Sequence, residues 1–159
     1  MAREYPERPV VGIGGVVIED GRALLIKRGA KPLRGQWSIP GGTLEIGESL
    51  QQGVARELLE ETNLEVRVLE VIEVFDRIFP ADPSGLVNAA RGPRFHYVIV
   101  DYLCERLSGE PRAGSDVTDV VYAREDELEQ FNLTETATRV LRKAFAMDRD
   151  RREKVSATT

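Results

Sequence analysis

A single cysteine, Cys104, stands in a chain of 159 residues, so no disulfide can close within it. That usage fits a reducing compartment. Cys104 lies inside the apolar run HYVIVDYLCE, where a buried core thiol is expected rather than a nucleophile. A basic excess is also missing. Lys and Arg number 22 against 27 Asp and Glu, and the net charge of −5 argues against a protein that grips a nucleic-acid backbone. It leaves room for a small phosphorylated substrate, because a metal ion can bring the positive charge. No apolar run is long enough to span a bilayer, and the opening MAREYPERPV is too charged for a signal peptide. The expectation is a cytoplasmic protein with no nucleic-acid polymer and no membrane as partner.

With no internal repeat and no linker, the chain is expected to form one domain over residues 1–148, large enough for a real core. Residues 149–159 are charged, poor in apolar side chains, and expected to fray. PVVGIGGVVI (9–18) reads as a buried strand, Glu19-Asp20-Gly21 as a turn, and RALLIKR (22–28) as the returning strand of a hairpin. Residues 64–79 alternate as a strand, FHYVIVDYLCERL (95–107) is the most strand-like run, and VTDVVYA (117–123) is a short strand. Residues 80–94 form a long polar loop of the kind that is usually functional. REDELEQF (124–131) and ETATRVLRKAFAM (135–147) read as a short and a longer helix. Strands around a helix, then more strands and a last helix, suggest a mixed sheet sandwiched by helices.

The informative stretch is GTLEIGESLQQGVARELLEETNL (42–64). Ser49 with Gln52 three residues on predicts a capping box that opens a helix. Val54, Ala55, Leu58 and Leu59 are its expected apolar face. Glu57, Glu60 and Glu61 fall within an arc of roughly 100° at i, i+3 and i+4 spacing. Their mutual repulsion would become attraction around a divalent cation, and hard oxygen ligands suit Mg²⁺. The alternative is a solvated acidic helix face. Gly53 lies in the acidic arc, and either opens space near a metal or allows close packing on a strand.

The surroundings decide between these readings. Gly42, Glu48, Arg56, Glu57, Leu58, Glu60, Glu61 and Leu64 stand at the spacing G-x5-E-x7-R-E-U-x-E-E-x-G-U, with U aliphatic. The stretch resembles the Nudix box. One position departs from it: Asn63 replaces the late glycine, and Asn is the next-best residue for a left-handed helix end. The resemblance implies an α/β/α sandwich with a mixed central sheet (α+β or α/β in class). It implies hydrolysis of a nucleoside diphosphate linked to another moiety, with Mg²⁺ or Mn²⁺ as cofactor. It assigns Glu57, Glu60 and Glu61 as metal ligands, with the Gly41 carbonyl as a further one. Glu57, Glu60 and Arg56 also belong to its catalytic set, Gly42 and Glu48 shape the box, and Glu48 is expected to pair with Arg56. Glu45 is an extra acid of open role.

The resemblance also points to a catalytic base outside the box, ahead of a late strand, where EPRAGSDVTDVVY offers Asp116 first and Asp119 second. Glu125, Glu127 or a box glutamate are the fallbacks. Arg28, Arg91 and Arg94 are candidate substrate contacts. For Trp37, core packing is favoured over base stacking, and for His96, the only histidine, a structural hydrogen bond is favoured over substrate contact. Some ADP-ribose-cleaving members carry a proline about sixteen residues past the box, where Pro80 stands. An ADP-ribose-type substrate is therefore the first reading. A nucleoside triphosphate pyrophosphohydrolase acting on oxidised or noncanonical nucleotides is the second, and a non-catalytic nucleotide sensor the third. A homodimer is the open question of assembly.

Overall fold

Val16 and Val17 are adjacent and both fully buried, yet they face different cores, because successive strand residues point to opposite sides of a sheet. The computed structural model describes residues 4–31, 33–81 and 92–158. Its strands are β1 (Val10–Glu19), β2 (Arg22–Arg28), β3 (Trp37–Ser38), β4 (Gly41–Thr43), β5 (Glu65–Phe79), β6 (Phe95–Ser108) and β7 (Val117–Arg124). The helices are α1 (Leu50–Thr62) and α2 (Glu135–Thr158), with a 3-10 helix over Glu125–Phe131. The sheet order is β3-β2-β1-β6-β5, with β4 against β1 and β7 against β2. Strand β1 runs parallel to β6 from Val10 opposite Tyr97 to Val17 opposite Cys104, and the other recorded pairings are antiparallel. The expected mixed sheet is observed.

One core joins Val17, Leu24, Val54, Leu58, Leu64 and Cys104 beneath α1. A second joins Val16, Leu25, Ile72, Leu103, Val140 and Leu141 beneath α2, and a small third cluster holds Val10, Phe95 and Tyr97. The sheet is thus enclosed by a helix on each face, an α/β/α sandwich. Burying a side chain such as Leu58 or Leu141 contributes about 1.5–3 kcal/mol.

One edge of β1 is shared by two partners. Gly12–Gly14 pair with β4, whereas Ile18 and Glu19 pair with β2. The sheet therefore forks along that edge, and the fork opens a cleft.

Three expectations change. Leu59 is 54% exposed and lies outside the core, because the sheet covers only one side of α1. The buried side of that helix is Gly53, Val54, Glu57, Leu58, Glu61 and Thr62, so two of the acids share the inward face with the apolar residues. The tail expected to fray from 149 is helical to Thr158. Its surface is exposed, and it is supported by ion pairs of Arg149 with Glu125 and of Arg152 with Asp148, one turn apart, in a segment rich in good helix formers.

Candidate active site

The acidic helix begins as its sequence predicts. Ser49 Oγ accepts from the Gln52 amide at 3.1 Å, and Gln52 Oε1 accepts from the Ser49 amide at 2.9 Å. It ends at Asn63 in the left-handed conformation, φ 66°, with the Asn63 amide donating to the Leu59 carbonyl. Gly53 sits against β1, where a Cβ would meet the side-chain ends of Ile13, Glu48 and Leu44, so it lies in close packing and not in open space.

Glu48 and Arg56 pair through two parallel bonds, Nε to Oε2 at 2.7 Å and Nη2 to Oε1 at 2.8 Å. The guanidinium holds the Glu48 carboxyl down to about 2, with the Glu45 amide adding to the effect. Arg56 Nη2 also donates to the Thr43 carbonyl at 3.0 Å, which fastens β4 to the helix. Its Nη1 donates to Glu57 at 2.9 Å and to Glu60 at 3.3 Å. Glu45, largely exposed, comes within 3.7 Å of the same nitrogen.

The three candidate metal carboxylates are thus not equivalent. Glu57 and Glu61 are buried, at 9% and 7% exposure, and Glu60 is largely exposed. Among the described residues, no three acidic, histidine or cysteine side chains are grouped closely enough to hold an ion between them. Arg56 draws Glu57 and Glu60 toward itself, while Glu61 accepts the Gly41 amide proton at 2.7 Å. Backbone contact requires glycine at position 41, and Gly42 lies close against a side chain. A Cβ on Gly42 would fall onto the Glu57 carboxylate, and one on Gly41 onto the Ile13 carbonyl of β1.

Burial pushes the Glu61 carboxyl up to about 8, and the negative charges of Glu57 and Asp116 push the same way. The Gly41 amide and Arg28 oppose them. Buried, mutually repelling oxygen donors are the environment that a hard divalent cation relieves. The residues fit such an ion chemically.

Asp116 reaches this site through the loop after β6. The Gly114 and Ser115 amides donate to the Glu61 and Glu60 carbonyls at 2.9 and 3.1 Å, satisfying the end of α1. A Cβ on Gly114 would strike the Glu60 carbonyl, so only glycine allows the loop to lie this close. Asp116 is exposed, with φ 57°, and its carbonyl accepts the Gly29 amide at 2.8 Å. Asp119 is exposed on β7 opposite Lys27 and binds its own strand through the Val120 amide at 2.8 Å. Of the two, the structure ties Asp116 to the acidic helix.

The cleft at the fork has a volume of about 160 Å³. Its floor is Gly12, Gly14, Gly41 and Gly42, and its walls include Trp37, Phe75, Phe79 and Tyr97. Arg28 and Arg77 supply positive charge, and Asp101 lies on the β6 side. Arg28, a candidate substrate contact, lines the cleft. Arg94 does not line it: its Nε donates to Glu4 at 3.3 Å and its guanidinium lies 5.3 Å from the Phe95 ring centre. Arg91 lies outside the described residues, as does most of the 80–94 loop. His96 stands opposite Ile78 in the ladder, away from the lining. Trp37 packs edge-to-face on Phe131 at 5.4 Å and also lines the cleft. Cys104 is buried, and burial pushes its thiol up to about 12, as befits a core residue.

Sequence reasoning missed Arg77 and Asp101. Asp101 had a signal, as the lone acid inside the apolar run HYVIVDYLC. Arg77 had one in its alternation with Phe75 and Phe79 along β5.

The site is thus framed by a helix-enclosed mixed sheet and an acidic helix locked onto a Gly-Gly strand. The NUDIX domain model matches residues 7–145. An ADP-ribose pyrophosphatase of Methanocaldococcus jannaschii is 31% identical over 114 residues, 72% of this chain and 61% of the relative. A putative 8-oxo-dGTP diphosphatase 2 of Mycobacterium tuberculosis is 33% identical over 102 residues, 64% of each chain. This chain therefore spans about six-tenths of the length of those two relatives. The crystal structure of a MutT NUDIX hydrolase from Burkholderia pseudomallei superposes with a TM-score of 0.70 at 33% identity, covering 86% of this chain and 98% of that one. The chain belongs to the Nudix hydrolase family. Nudix hydrolases act on pyrophosphate bonds of nucleoside diphosphate derivatives and generally need divalent cations. Among the described residues, no helix is long and apolar enough to cross a membrane.

Proposed function

We infer that this protein hydrolyses the pyrophosphate bond of a nucleoside diphosphate joined to a second moiety, an ADP-ribose-type substrate, with Mg²⁺ or Mn²⁺. The observation that carries this reading is the continuity of two sites. Gly41 and Gly42 contact Glu61 and Glu57 and also floor the cleft that holds Arg28, Arg77 and four aromatic rings. A base and sugar in the cleft would place their diphosphate beside the acidic helix.

Glu57, Glu60, Glu61 and the Gly41 carbonyl would hold the metal, which neutralises phosphoryl charge and lowers the pKa of bound water. Arg28 stabilises negative charge on the diphosphate from the cleft side. The two-bonded Glu48–Arg56 pair fixes β4 against α1, so that glycine backbone and carboxylates keep one geometry. Asp116 accepts the proton of the attacking water, whose oxygen bonds to phosphorus as the bridging P–O bond breaks. ADP-ribose would give AMP and ribose 5-phosphate.

The relative named for 8-oxo-dGTP supports a second reading, a triphosphate pyrophosphohydrolase. Ranking kcat/KM for ADP-ribose, dGTP and 8-oxo-dGTP separates the two, with ADP-ribose first on the main reading. The reading includes a cytoplasmic enzyme that binds no membrane or nucleic-acid polymer, which the net charge of −5 supports. Whether two copies pair as a homodimer is the open question of assembly, and light scattering on a sizing column answers it.

A further inference from the structure

Arg28 and Arg77 both line the cleft, but only Arg28 has a part in the reaction proposed for it. Phe75, Arg77 and Phe79 alternate along β5, so they point to one side of the sheet, and all three line the cleft wall. The Arg77 guanidinium lies over the Phe79 ring, 5.0 Å from its centre. That contact uses a face of the guanidinium and leaves the N–H groups in its plane available to a ligand. Among the described residues, none pairs with Arg77 as a carboxylate or accepts a hydrogen bond from it. Arg56, Arg94, Arg106 and Arg139, by contrast, each hold a carboxylate.

Burial, and then the charge of Arg28, work against the charge on Arg77. A half-buried cation facing a second cation is stabilised by an anion from outside the chain. Asp101 on the β6 side does not supply one, because the charge acting on it is that of Glu73. A guanidinium donates only, and its planar fork matches two oxygens of one phosphate. Position narrows the choice of phosphate. In the order β4-β1-β6-β5, Arg77 stands three strands from Gly42, on the far side of the cleft from the acids. Arg28, whose charge also acts on Glu61, serves the nearer side.

We propose that Arg77 is a specificity-determining residue that grips the phosphate of the nucleotide half seated in the cleft, the half released as AMP. This rests on the nucleotide-hydrolase reading above and adds the contact that tells a nucleotide from a nucleoside. Phe79 behind the guanidinium fixes its plane, so the fork is set before the phosphate arrives.

Trp37 is the only tryptophan and lines the same cleft, so its fluorescence reports occupancy without turnover. Titrations with AMP and with adenosine, both in Mg²⁺, are run on the wild type, Arg77→Ala and Arg77→Lys. The wild type should bind AMP at least about tenfold more tightly than adenosine. Arg77→Ala should weaken AMP by about 10–100-fold, the range for hydrogen bonds to a charged group, and leave adenosine nearly unchanged. Arg77→Lys keeps the charge, loses the fork and should fall between. Equal loss of AMP and adenosine would make Arg77 a packing partner of Phe79 only. Unchanged AMP binding would remove it from the site. Either result overturns the assignment, as does a wild type that binds the two ligands equally. The wild-type ratio and Arg77→Lys decide even if Arg77→Ala does not fold. Hydrolysis of ADP-ribose is measured alongside, where the loss in Arg77→Ala should appear in KM. AMP held through Arg77 without cleavage of ADP-ribose would sink the hydrolase reading and keep the contact. Cleavage with KM and AMP affinity untouched in Arg77→Ala would do the reverse.

Discussion

Arg56 donates to Glu48 through Nε at 2.7 Å and Nη2 at 2.8 Å, and Nη1 of the same guanidinium reaches Glu57 at 2.9 Å. One side chain thus links the loop before α1, the end of β4 and a buried acid. Lysine would keep the charge and lose the planar fork. Arg56→Lys should therefore lower kcat by about 10–100-fold, the usual effect of disturbing the support of a metal ligand, while the far-UV CD spectrum stays unchanged. Wild-type kcat in that variant would remove Arg56 from the account.

Glu61→Gln tests the carboxylate on the buried face. An amide oxygen can still accept from Gly41, but it carries no charge for a cation. Turnover should fall by orders of magnitude. In excess chelator the variant should melt at or above the wild-type Tm, because the cost of burying Glu61 beside Glu57 and Asp116 is removed. Full activity in Glu61→Gln would exclude it as a ligand.

Asp116 and Asp119 are separated by their places in the fold. Only Asp116 sits on the loop hydrogen-bonded to the end of α1. Asp116→Asn should depress kcat by about 10²–10⁴-fold with metal affinity nearly unchanged, and Asp119→Asn should be mild. Near-normal kcat in both would move the base to Glu125, Glu127 or a box glutamate.

Asp101 also makes stability depend on pH. Burial first, and Glu73 second, raise its carboxyl from 3.8 to about 7. Between those values the folded state holds a proton that the unfolded chain has released, so this group reduces stability as pH rises. Asp101→Asn should therefore gain Tm relative to wild type from about pH 4 to 7, with the difference level above about pH 8. Parallel Tm curves across that range would show that Asp101 is ionised in the fold throughout.

The parts of the site that were legible in the sequence are those built from neighbours along the chain. The Ser49–Gln52 cap and the Asn63 helix end follow from local spacing and side-chain chemistry, and the Glu48–Arg56 pair from the resemblance to the Nudix box. Spacing also put Glu57, Glu60 and Glu61 on one arc, but it could not show that Arg56 would draw Glu57 and Glu60 aside, because that depends on rotamers. Leu59 was misplaced for a related reason. Periodicity gives a stripe, whereas the width of the buried stripe is set by what lies across from it. The cleft was beyond reach: its residues come from β1, β2, β3, β4, β5, β6 and the start of α2, and meet only through the sheet order.

Metal-dependent cleavage of an ADP-ribose-type diphosphate is the reaction proposed for the site that joins the acidic helix to the cleft. Incubation of the protein with ADP-ribose and Mg²⁺, with products resolved by anion-exchange chromatography, tests it most directly. Equimolar AMP and ribose 5-phosphate are expected, with turnover abolished by excess chelator and a higher kcat/KM than for 8-oxo-dGTP. Intact ADP-ribose alongside rapid hydrolysis of 8-oxo-dGTP, or turnover that persists in chelator, would contradict it.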